Sequence, residues 1–241
     1  MQDIKKQDIQ EIVYKKETEL GKIQVIDADY EGEPILFLIV NGQMESAMFL
    51  DKAKELDLIF PYMQKFSYAF AIKPDIRHTY LIGGGAFSYP KYYLDRYRKA
   101  KITVSEMSEE IVDLAYRFFR LDELDMEERA NLSVVKEDGF AWLAKTKEKF
   151  DLIINDAFIG NAMQGRDDEN TSLVAEHLQE DGIYMINMVS ARFGFHALNR
   201  FAYQRVLHKY FANIKVIVCE EDILPWEKQN ILVVASNKEL L

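Results

Sequence analysis

The chain has 241 residues, 49% of them apolar and 12% aromatic, enough for one large packed α/β unit with a small appendage and too apolar for a disordered protein. A net charge of −10 argues against a partner bound through a nucleic-acid backbone, and no apolar run nears the roughly 18–20 residues a membrane span requires. The single cysteine, Cys219, cannot form an internal disulfide, and residues 1–6 lack the apolar stretch of a signal peptide, so the expected location is cytoplasmic.

In chain order, residues 1–50 read as a small antiparallel β unit. Residues 22–26 alternate, residues 35–40 form a strong apolar strand, and Asn41-Gly42 is a hairpin turn signal that returns the chain along residues 43–48. The unit suits a structural or oligomeric role, or one wall of a cleft. Residues 51–78 read as a linking helix, with apolar positions at helical spacing over 51–72 that Pro61 should kink or divide.

From residue 79 onward strands and helices alternate, the pattern of a mostly parallel sheet covered on both faces. Strands are expected over 79–82, 102–106, 132–135, 150–156 and 182–188, and helices over 91–100, 109–119, 140–146, 171–178 and 198–210. Residues 157–168 read as a loop. The last apolar runs, 214–219 and 230–235, have no helix between them and should pair antiparallel. The expected class is therefore α/β: a Rossmann-like domain over 79–241 ending in an antiparallel hairpin, preceded by the β unit.

The chemistry concentrates at Gly83-Gly84-Gly85, where a buried strand runs into a tight turn and then a helix. Backbone N–H groups presented this way suit a nucleotide, and Glu106 stands about 20 residues on, where an acid would hold ribose hydroxyls. Plainer readings exist: Asp138-Gly139 is a common turn, and Glu106 fits a helix-capping acid. His78, His177, His196 and His208 form no metal-ligand motif, so no metal is expected, and no Gly-x-Ser-x-Gly elbow or Gly-Lys-Ser/Thr loop occurs.

The succession Gly83-Gly84-Gly85, Glu106, Asp138-Gly139, Asp156-Ala157-Phe158 and the closing hairpin resembles the class I S-adenosylmethionine-dependent methyltransferase fold. With the N-terminal β unit and Asn41-Gly42-Gln43, it is similar to the spermidine synthase-like branch of that fold, from about residue 20 to the C-terminus. The resemblance implies a transferase binding S-adenosylmethionine or decarboxylated S-adenosylmethionine, releasing S-adenosylhomocysteine or methylthioadenosine. It would pass a methyl or aminopropyl group to a small-molecule amine. It implies cofactor contacts from Gly83, Gly84, Gly85, Glu106, Met107, Asp138, Gly139, Asp156 and Ala157, with Asp156 also the catalytic amine anchor or base. Gln43 would line the cleft from the β unit, and the assembly would be a homodimer; Tyr89 and Trp226 are further candidates for the substrate side, as aromatic faces suited to a cation. The alternative is a nucleoside-binding module without catalysis, acting through its dimer or a protein partner. Two departures stand out: spermidine synthases follow the triple glycine with Asp-Gly, that acid helping to bind the aminopropyl amine, where this chain has Ala86-Phe87. Their Asp-Ser-Ser-Asp is here Asp156-Ala157-Phe158-Ile159.

Overall fold

The computed structural model of the chain describes residues 9–159 and 162–240. Strands β1 (Ile9–Thr18), β2 (Gly21–Tyr30), β3 (Glu33–Val40) and β4 (Gln43–Phe49) form an antiparallel meander. Asn41 and Gly42 make the β3–β4 turn with φ of 50° and 79°, the left-handed pair that lets a two-residue loop follow strand twist. Across this hairpin Leu38 faces Ser46 and Ile39 faces Met44, so Glu45 is an extra residue with no cross-strand partner, a β-bulge.

Residues 51–78 do not carry the single linking helix expected of them. Asp51 turns the chain instead, its side chain accepting from Ala53 N at 2.9 Å and its carbonyl from Lys54 N at 3.0 Å. Pro61 then opens α1 (Pro61–Lys65), and α2 (Tyr68–Ile72) follows. A proline inside a helix removes a hydrogen bond and clashes with the preceding turn, whereas at the first position its missing N–H costs nothing. Pro61 therefore starts a helix rather than kinking or dividing one that begins at Asp51.

The second sheet has seven strands: β5 (His78–Ile82), β6 (Lys101–Ser105), β7 (Leu132–Val135), β8 (Phe150–Asn155), β11 (Leu178–Ser190), β12 (Asn213–Val218) and β13 (Gln229–Ser236). Between β8 and β11 lie two-residue strands, β9 (Phe158–Ile159) and β10 (Ala162–Met163), which pair antiparallel within the expected loop. The order is β12-β13-β11-β8-β5-β6-β7. The five strands from β7 to β11 are parallel; β13 runs antiparallel and inserts between β11 and β12. The expected terminal hairpin is thus present, with its second strand inside the sheet.

Alternate side chains of the central strands feed opposite cores. Leu81, Leu152, Ile154 and Met185 pack with Phe66 and Tyr93 and with Ile35 and Phe37 of the first sheet. Tyr80, Ile153, Tyr184 and Ile186 pack on the other face under α6 (Gly139–Leu143), α7 (Asp168–His177) and α8 (Leu198–Leu207). The helices α3 (Ser88–Arg96), α4 (Glu109–Phe118) and α5 (Met126–Asn131) complete the α/β alternation. From β5 the chain steps to β6 on one side and later to β8 on the other, and ligands gather outside the carboxyl ends at such a reversal. Among the described residues, no helix is long and apolar enough to cross a membrane.

Candidate active site

At the carboxyl ends of β5, β6 and β8 lies a cavity of ≈ 830 Å³, the size of a typical small-molecule site. The strand ends supply one side, while Gln43, Glu45 and Ser46 of β4 and Tyr62 of α1 supply the other. Val189, Phe195 and Leu198 also line it and are solvent-exposed, which places them at its rim.

The glycine turn is shaped by its neighbours. Gly83 has φ of +92°, and a Cβ there would lie 2.8 Å from the Asp156 carbonyl oxygen, so only glycine lets the ends of β5 and β8 close up. At Gly85, φ +51°, a Cβ would meet Ser46 Oγ at 2.6 Å. The turn is stitched to β4: Ala86 N donates to Ser46 Oγ at 2.9 Å, and Ser88 Oγ donates to the Ala47 carbonyl at 3.0 Å. Phe87, where spermidine synthases have glycine, keeps a left-handed φ of 61°. That conformation costs a non-glycine residue roughly 1–2 kcal/mol, offset here by complete burial of the ring.

Among the described residues, five carboxylates line this space; Glu137 is paired with the Lys145 ammonium, and the other four are held differently. Glu106 Oε2 accepts from Gly84 N (3.2 Å) and Gly85 N (3.1 Å), and its Oε1 from Ser108 N (2.9 Å). Burial raises its pKa despite these donors. Asp138 caps α6, its Oδ1 accepting from Phe140 N and Ala141 N at 3.1 and 2.8 Å. Asp156 follows β8; its Oδ1 accepts from Asn187 Nδ2 at 2.7 Å, and Tyr62 also hydrogen-bonds it. Asn187 Oδ1 accepts in turn from Asn230 Nδ2 at 2.9 Å, so strands β11 and β13 orient the carboxylate. Burial pushes Asp156 up to about 7, against the pull of Asn187, Arg166 and Tyr62. Glu45 also rises to about 7, first through burial and then through repulsion from Asp156 and Glu106.

Of the residues singled out from the sequence, Gln43, Gly83, Gly84, Gly85, Glu106, Met107, Asp138, Gly139, Asp156 and Ala157 all line the cavity. Tyr89 does not: it is 2% exposed and packs edge-on against Phe66 at 5.0 Å, because the first turn of α3 points it into the core. Trp226 is 62% exposed in the β12–β13 connection and lies outside the lining. Sequence reasoning missed Glu45, Tyr62 and Asn187, and it missed Arg166. The Arg166 guanidinium donates to the carbonyls of Ala157 (2.7 Å), Gln164 and Asn187 (2.5 Å), pinning the loop after Asp156. A single acid in a β hairpin and an arginine in a polar loop carry no spacing signal that could have found them.

Comparison with known proteins agrees with this geometry. The spermine/spermidine synthase domain model matches residues 68–238. The chain is 31% identical over 137 residues to a probable polyamine aminopropyl transferase of Bifidobacterium longum, covering 56% of this chain and 29% of that protein. It is 27% identical over 205 residues to a polyamine aminopropyltransferase of Hydrogenobaculum, covering 84% and 69%. Among solved structures, a probable spermidine synthase from Corynebacterium glutamicum superposes with a TM-score of 0.80 at 20% identity, over 96% of this chain and 82% of that one. A spermidine synthase in complex with the transition-state analogue AdoDATO gives 0.72 at 17%, over 97% and 75%. The family match over most of the chain and the strand-end acids around one cavity lead to the same conclusion: this chain belongs to the spermine/spermidine synthase domain family.

Proposed function

We propose that the protein is an aminopropyltransferase that uses decarboxylated S-adenosylmethionine and a small polyamine acceptor, with methylthioadenosine as the second product. The observation that carries this reading is the meeting of Glu106 and Asp156, with the glycine turn between them, on one cavity at the sheet's point of reversal. The descriptions of the relatives and the acidic lining both support it. Apart from Lys228 and His196, the ionisable groups with charge to offer there are acids, which suits a cationic donor and a cationic acceptor.

The donor set fits an adenosyl group. Glu106 is held by three backbone N–H groups and retains lone pairs for two ribose hydroxyls. Asp138, one oxygen committed to its cap, offers the other to an adenine amino group, beside Gly139. An adenosyl sulfonium supplies a carbon already activated for attack, since its leaving group departs as a neutral thioether. The protein has to align the amine and take its proton. Alignment can provide several kcal/mol of the barrier, and a carboxylate titrating near neutrality is matched to the proton transfer. Asp156 is such a group, fixed by Asn187 and Tyr62. Incubation with the decarboxylated donor and a panel of diamines and spermidine, followed by mass spectrometry, tests the proposal. Methylthioadenosine together with an aminopropylated amine is expected; no methylthioadenosine with any acceptor would overturn it.

A further inference from the structure

Among the described residues, Glu45 is the one charged side chain that the four-stranded sheet contributes to the cavity. The bulge in β4 removes it from the β3 ladder, and bulges of this kind re-aim a side chain. Its neighbour Ser46 accepts from Ala86 N at 2.9 Å, and the Glu45 carbonyl approaches within 3.6 Å of a Cβ built on Gly85, so Glu45 is locked beside the glycine turn. The other acids on the cavity have protein partners: Glu106 the glycine turn, Asp138 the α6 N-terminus, Asp156 Asn187, and Glu137 the Lys145 ammonium. Among the described residues Glu45 has no hydrogen bond and no ion pair; its electrostatic neighbours are the carboxylates of Asp156 and Glu106. A half-buried acid facing two others is unfavourable until a cation joins them.

We propose that Glu45 anchors the ammonium at the end of the donor's aminopropyl arm and so selects the decarboxylated donor over S-adenosylmethionine. The assignment rests on the adenosyl-donor reading above. It follows from position and charge: the bulge sets an acid without a protein partner beside Gly85, where Glu106 is already engaged by Gly84 N and Gly85 N, and a donor keeping its α-carboxylate brings an anion against it. Ala86 carries no charge, so the selecting group comes from the first sheet rather than from the glycine turn.

Titration calorimetry on the whole chain at pH about 8 separates the assignment from the reading beneath it. The ligands are methylthioadenosine, which has no ammonium, the decarboxylated donor and S-adenosylmethionine. The wild type should bind the decarboxylated donor at least tenfold more tightly than S-adenosylmethionine. Glu45→Gln should lose at least tenfold for the decarboxylated donor, keep methylthioadenosine within about twofold, and lose the preference between the two donors. Unchanged affinity for the decarboxylated donor, or an equal loss for methylthioadenosine, would overturn the role of Glu45 alone. Absence of methylthioadenosine binding in the wild type would instead remove the adenosyl site, and the Glu45 assignment with it.

Discussion

Asp156 and Glu45 both titrate near 7 because burial disfavours their charged forms, and the sign of that shift has two consequences. For catalysis, Asp156 must be ionised to take a proton, so kcat/KM should fall below about pH 7 with a slope approaching tenfold per pH unit; a flat profile between pH 5.5 and 8 would contradict this. The groups facing Asp156 are Arg166, Asn187, Tyr62 and Glu45, and the cationic residue among them is too encumbered by backbone bonds to serve as its titrating partner. For stability, an acid whose folded pKa is raised costs more as pH climbs from its unfolded value near 4 toward 7. Glu45→Gln should therefore raise Tm at pH 8 by a few degrees, and the gain should shrink toward pH 5; a loss of Tm at pH 8 would show that an unseen partner holds the carboxylate. Asp156→Asn keeps its shape and its bond to Asn187. It should leave methylthioadenosine binding within a few-fold and slow transfer at least a hundredfold, measured by single turnover; undiminished transfer would place the base elsewhere. Glu106 and Asp156 were legible in the sequence because each ends an apolar strand in a fixed succession. Glu45 was not, because its exposure to the cavity depends on a bulge, and a one-residue irregularity leaves no trace in period-two alternation.

At the scale of elements, long apolar strands and the helices with a clear apolar stripe were readable, and the misses have local causes. Pro61 reads as a kink or a break within one helix, whereas its ring starts a helix and the residues before it form turns. α5 went unnoticed although Asp125 and Glu128 form a capping box, each side chain accepting from the other's backbone N–H at 2.8 and 2.9 Å. At the amino end of the sheet, opposite the cavity, Lys73 is nearly buried and donates to both oxygens of Asp181 at 2.6 Å, with Asp151 at 3.5 Å. Asp151 also accepts from Arg77 N and His78 N, so this cluster ties α2, β5, β8 and β11 together. Lys73→Met would leave the carboxylates facing one another and should cost about 2 kcal/mol, or roughly 4–8 °C in Tm. The Lys73 ammonium holds Asp181 below the usual carboxylate range, so that deficit should be full above pH about 4 and fade only as pH falls further. Donor binding should be unaffected; a tenfold loss would mean that the far end of the sheet positions the site.

At the scale of the whole molecule, the cavity exists because two sheets meet. The strand ends and glycine turn form one wall, β4 and α1 the other, and the Ser46–Ala86 and Ser88–Ala47 bonds hold them in register. The class of fold and the strand-end acids could be read from the sequence because they follow chain order. The second wall was legible only as one role among several for the β unit, with Gln43 as its one named residue, since nothing in chain order says which face of an N-terminal hairpin will lie against residues forty positions later. A crystal structure with methylthioadenosine bound tests the central claim most directly. The account predicts the nucleoside in this cavity, its ribose on Glu106 and its sulfur toward Asp156, with Glu45 still open to the space beyond. A nucleoside bound elsewhere, or a ribose that leaves Glu106 on the glycine turn without contact, would contradict it.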